Sequence, residues 1–150
     1  MSADIDHRSL GVGYFNSTWD LINSTNRTSE QDRDMLTRAF ASRQHWIEAG
    51  SADGNLAIND WQIAHAASLA GFADVADAFS TAAYDRARAS SAPLWLQAST
   101  AEGRARACAA MHDVPGYEKY AAEARQLLEQ VTDIKDRQLV ESQLLSIPAP

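Results

Sequence analysis

NLAINDWQIAHAASLAGFADVADAFSTAAYDRA, residues 55–87, is the stretch that decides the fold. In its second half Val75, Ala76, Phe79, Ala82 and Ala83 recur at steps of three and four residues, the spacing that stacks side chains on one face of a helix. Leu56, Trp61, Ile63, Ala64 and Ala67 repeat the pattern more weakly in the first half, and its small residues let a second helix backbone approach closely. Gly71 supplies the turn between them. The segment therefore predicts an antiparallel helical hairpin.

The same punctuation recurs on both sides. Toward the N-terminus, residues 50–54 form a loop in which Gly50 is placed as the left-handed residue that ends a helix. That helix opens at Thr28, whose spacing to Gln31 is that of a capping box, and it runs to about Ala49. Residues 23–27 are a turn cluster, preceded by a first helix from Leu10 that carries Phe15, Trp19 and Ile22 on one face. Residues 1–9 are polar and expected to be disordered, which leaves 10–150 as a single helical-repeat domain.

Toward the C-terminus, Ser90 to Pro93 closes the fourth helix and starts a fifth that extends to about Met111. Asp113-Val114-Pro115-Gly116 opens a sixth, with the apolar stripe Tyr117, Tyr120, Ala121, Ala124, Leu127, Leu128 and Val131. Asp133 caps a seventh, apolar through Leu139, Val140, Leu144 and Ile147. No segment alternates with period two for long enough to make a strand. The expected fold is all-α, about seven helices in antiparallel hairpins forming an α-α superhelix, the last helix capping the stack.

Ile63-Ala64, Gly71-Phe72, Ala76 and Ala83 resemble the small-residue positions of the tetratricopeptide repeat, while Ala67, Ser80 and Arg88 stand where that repeat has a Tyr, a later aromatic and a terminal Pro. A poorer copy follows 45 residues on, where Gly116-Tyr117 and Ala121 echo Gly71-Phe72 and Ala76. From Tyr14 to Pro148 the chain also resembles a family of short, stand-alone bacterial proteins with tetratricopeptide-like helices and no settled function. The carrying segments are Phe15-Asn16 with Thr18 to Leu21, Arg27-Thr28 with Asp32, Ala41 to Arg43 with His45-Trp46, Asn55 to Ala57 with Trp61 to Ile63, and Asp136-Arg137 through Ile147-Pro148. This chain departs from the family at His65 and Ala67, where members tend to have Arg and Tyr, and at His112, where they tend to have Gly. The resemblance implies a surface of stacked first helices that binds a peptide or protein partner.

Composition narrows the function classes. At 150 residues and 45% hydrophobic residues, the chain fits one domain with one continuous core. Cys108 is the sole cysteine, so no intrachain disulfide can form, and a cytoplasmic, reducing location is expected. No apolar run reaches the length of a membrane span. A formal charge of −7 with 13 basic residues disfavours nucleic acid and anionic membranes as partners, because phosphate recognition needs clustered Lys and Arg.

Candidate functional residues are polar or aromatic side chains standing where the helical stripe predicts apolar ones. Arg43 shares a face of the second helix with Leu36, Ala39, Phe40 and Ile47. It either pairs with a carboxylate such as Asp20, Asp32 or Asp60, or faces a cavity and binds an anion. His45-Trp46 lies beside it, and Asp60-Trp61-Gln62 with His65 lies on the next helix. Together these residues could line a polar-aromatic ligand pocket between helices two, three and five. Within it, His45 or His65 could act as a general base oriented by Asp60.

No metal site is expected, since neither paired Cys, His-x-x-x-His nor paired Glu-x-x-His spacing occurs, and no sequence feature implies a cofactor. Cys108 reads as a small buried hydrophobe. Three function classes follow: a peptide or protein interaction module, a small-molecule binding protein or enzyme, and a self-associating structural protein that forms a homodimer through an apolar patch.

Overall fold

Local capping decides where the helices of this protein begin. In the computed structural model, which describes residues 3–150, Asp6 accepts from the Ser9 amide at 3.0 Å and starts a helix at His7. This is three residues earlier than the sequence pattern suggests, so residues 7–9 belong to the fold; residues 1 and 2 lie outside the described part. Thr28 and Gln31 cap each other reciprocally at 2.8 and 3.1 Å, as their spacing predicts. Asp113 and Asp133 accept from Gly116 and Asp136, each at 3.0 Å.

The resulting helices are α1 (His7–Ile22), α2 (Ser29–Glu48), α3 (Asp53–Ala70), α4 (Ala73–Ala89), α5 (Leu94–Ala110), α6 (Val114–Glu129) and α7 (Ile134–Leu145). There is no strand among the described residues. Gly50 and Gly71 adopt the expected left-handed turns, with φ of +71° and +83°. At the α5–α6 turn His112 adopts φ +59° with a side chain present, a conformation that costs an L-residue about 1–2 kcal/mol relative to right-handed backbone.

The helices pack as successive hairpins, α1 on α2, α3 on α4 and α5 on α6. Each odd-numbered helix also packs against the next odd one, whereas the backbones of α2, α4 and α6 stand farther apart and these helices meet through side chains such as Phe40 on Phe79 and Tyr84 on Tyr120. The array is thus two-layered, with α1, α3, α5 and α7 as the more closely spaced layer. In the middle of that layer residues 59–67 of α3 and 98–103 of α5 are buried on every side.

Small side chains make this spacing feasible. Ala98, Ala101, Ala105, Ala121 and Ala124 bring α5 and α6 together, and Leu128, Val131, Val140 and Leu144 seal the end of the array under α7. At Gly103 a Cβ would come within 2.8 Å of the Trp61 indole, so the bare backbone there is what admits Trp61. Among the described residues, no helix is long and apolar enough to cross a membrane.

Candidate functional site

The odd-numbered layer holds a cleft beside a buried ion pair. Glu102 is 0% exposed and Arg106 3% exposed. One turn apart on α5, they are joined through Arg106 Nε and Glu102 Oε1 at 2.9 Å. The other carboxylate oxygen accepts from Trp61 Nε1 at 3.0 Å. Arg106 Nη2 donates to the Gln143 carbonyl at 2.9 Å and to Ser146 Oγ at 2.7 Å, which ties α7 to α5. A buried charge needs this full set of partners, because an isolated ion in the interior costs several kcal/mol or more.

Two adjoining lobes make up the cleft, and Arg106 lines the smaller. The larger, about 480 Å³, is apolar; Phe15, Trp19, Ile58, Trp61, Trp95 and Leu139 form its walls, and Ser99, Asn23 and Gln143 are polar points on them. The smaller, about 300 Å³, is lined by His65, Arg106, Ser142 and Ser146, and shares Trp19, Asn23 and Gln143 with the larger. Trp19, Trp61 and His65 form a mutually packed aromatic corner, with ring centroids 5.2 to 5.8 Å apart.

His65 Nδ1 and Gln143 Oε1, on residues that line the lobes, are themselves shut off from the open space and lack hydrogen-bond partners. Burial drives the His65 pKa well below the ordinary imidazole range, and the charges of Arg106 and then Arg27 push it further down. His65 is therefore neutral at physiological pH.

Of the residues that the sequence nominates, the structure brings only Trp61 and His65 into the cleft. Arg43 donates through Nε to Asp60 Oδ1 at 2.5 Å, and Arg86 Nε stands 3.5 Å from the other Asp60 oxygen. Asp60 is thus an interior anchor for α2 and α4, hydrogen-bonded to neither histidine, and the expected His–Asp acid–base pair does not form. His45 lies on the α1 side of α2, its Nδ1 2.9 Å from His7 Nδ1 and its ring stacked on Tyr14. Trp46 packs over Gly11, and Gln62 Nε2 donates to the Phe15 carbonyl at 3.0 Å.

The cleft lies between α1, α3, α5 and α7 rather than between α2, α3 and α5, because alternate helices share a layer. Glu102, Arg106 and Gln143 were not among the expected site residues. The available signal was Glu102-x-x-x-Arg106 within residues 98–110, a run that apart from these two and Arg104 holds only Ala, Ser, Thr, Gly and Cys.

Among the described residues no group of three or more His, Cys, Asp or Glu side chains is arranged to hold a metal ion. Cys108 is buried and its thiol pKa is raised by that burial, the inert behaviour of a packing residue. Comparison with protein-family models, curated proteins and solved structures finds no match to this chain.

Proposed function

We propose that the protein binds a small, mostly apolar ligand in the cleft between α1, α3, α5 and α7. The observation that carries this is the convergence of Trp19, Trp61 and Trp95 on a lobe of about 480 Å³ with few polar points, the size and composition of a small-molecule site. Exposed indole surface of this kind is costly to leave in water and offers a large contact area to a ligand. The role is binding rather than acid–base turnover, since Asp60 is committed to Arg43 and Arg86.

A peptide or protein partner is the second reading. It is favoured by Leu139, which lines the cleft and is 55% exposed at its rim, so that an apolar side chain of a partner could enter from outside.

A thermal-shift screen against metabolites and peptides, repeated on Trp19→Ala and Trp95→Ala, tests both. A ligand that binds the folded state raises the midpoint in proportion to the logarithm of its concentration above Kd. Small-molecule hits lost in both variants support the first reading. Peptide hits alone would transfer support to the second, and hits unaffected by either variant would remove the cleft from consideration.

A further inference from the structure

Given the binding reading above, the walls of the larger lobe restrict the chemistry of what it holds. No charged residue lines it, so a charged ligand group seated there would lose hydration without gaining a counter-ion. Its volume of about 480 Å³ equals that of about sixteen waters at roughly 30 Å³ each, room for a molecule of about a dozen heavy atoms.

One polar group on these walls stands apart. Among the described residues, the buried hydroxyl-bearing side chains are Thr18, Ser42, Ser80, Ser99 and Thr100. Thr18, Ser80 and Thr100 turn their hydroxyls back to the carbonyls of Tyr14, Asp77 and Gln97 in the preceding turn, and Ser42 donates to the Gly11 carbonyl. Ser99, at 8% exposed, has no such partner in the protein. Its side chain lines the larger lobe, and its Oγ, unlike Gln143 Oε1, is not shut off from the open space. A helical serine ordinarily reaches a carbonyl one turn back, so a hydroxyl that points into an apolar lobe instead is a group awaiting a partner.

That partner is an acceptor. A hydroxyl has one hydrogen and two lone pairs, and an unpaired donor is rarer in native interiors than an under-used acceptor. Trp61 Nε1, on the same walls, is already bound to Glu102 and makes no demand on the ligand. Trp95 stands one turn before Ser99 on α5, so a molecule lying against the indole has its polar atom within reach of the hydroxyl.

We infer that the ligand is an uncharged, largely apolar molecule with one hydrogen-bond acceptor of the carbonyl type, its body against Trp19, Trp61 and Trp95 and its acceptor oxygen on Ser99 Oγ.

The probes are 2-acetylnaphthalene, 2-isopropylnaphthalene, which has the same outline without the acceptor, and 2-naphthoate. Equilibrium dialysis at pH 7.5 compares the parent with Ser99→Ala and Trp95→Ala, each shown to be folded by circular dichroism. On the parent the carboxylate should bind at least about tenfold more weakly than the ketone, for want of a counter-ion. In Ser99→Ala the ratio of ketone to hydrocarbon affinity should fall about fivefold, the effect of one lost hydrogen bond, while the hydrocarbon binds as before. Taking the ratio cancels the greater hydrophobicity of the hydrocarbon. On the parent alone, the infrared carbonyl stretch of the bound ketone should lie below its value in hexane. An unchanged ratio, an unshifted stretch, or a carboxylate that binds as tightly as the ketone would overturn the inference and leave cleft binding standing. Failure of both ketone and hydrocarbon to bind, or binding unaltered in Trp95→Ala, would overturn both.

Discussion

Arg43 and Asp60 are joined Nε to Oδ1 at 2.5 Å across the α2–α3 contact, outside the cleft, with the carboxylate fully buried. Because Arg86 faces the second carboxylate oxygen, one side chain of α3 fastens two outer helices. Asp60→Ala should cost about 3–5 kcal/mol in urea unfolding, the usual effect of removing one member of a buried ion pair. Arg43→Ala should cost less, because Arg43 is partly exposed and Arg86 remains. Ligand capacity per folded molecule should be unchanged in Arg43→Ala; a loss at constant stability would make Arg43 a binding residue after all.

Glu102 and Arg106 should behave as a coupled pair. Glu102→Gln leaves a guanidinium without its counter-ion at 3% exposure and should destabilise by about 3–5 kcal/mol. Combining it with Arg106→Met removes the stranded charge, so the double variant should be more stable than Glu102→Gln alone. Chemical denaturation of the four members of the cycle measures the coupling, and additive costs would mean that the pair is not a unit.

Gly103 and Gly13 offer a paired test of packing. Gly103→Ala places a methyl group within 2.8 Å of Trp61 Cδ1 and 3.3 Å of Nε1, so the indole must shift and strain its bond to Glu102. A loss of about 1–3 kcal/mol and altered Trp fluorescence are expected. Gly13→Ala meets nothing within 4 Å on α1 and should instead stabilise by up to about 1 kcal/mol through helix propensity. Thermal melts of both decide the matter.

The depressed pKa of His65 has a signed consequence. In the unfolded chain an imidazole titrates near about 6.5, whereas in the fold His65 resists its proton because of burial, then Arg106 and Arg27. Below that pH the unfolded state binds the extra proton, so this contribution to stability is complete above about pH 6.5 and is lost as the pH falls toward the folded value. The stability difference between the parent and His65→Asn should therefore shrink from pH 7.5 to pH 5. Urea midpoints across that range test it; a difference independent of pH would show that His65 is not held neutral.

The helices were legible because their signals are local. Thr28 and Gln31 cap one start, Gly50 and Gly71 turn at positive φ, and Asp113 and Asp133 open α6 and α7 as read. The site was not, for a geometrical reason. Asp60, Trp61 and Gln62 are consecutive in sequence and so diverge by about 100° each around the helix axis, toward α2 and α4, toward α5, and toward α1. Since α3 is buried on all of these sides, no solvated face tells the reader which neighbour each residue meets. His65, four residues after Trp61, shares its face and was the informative companion; His45 was not. Glu102 and Arg106 were hidden by the opposite habit, that of reading an alanine-rich run as mere packing.

Arg106 reaches α7 while Trp19 and Ile22 reach in from α1, yet these first and last helices do not pack on each other. In an array whose members touch only near neighbours, the two ends can fray as independent events. An occupant of the cleft would act as a clasp, turning an open chain of hairpins into a ring. Amide exchange at the opposite ends of the sequence would then slow in step.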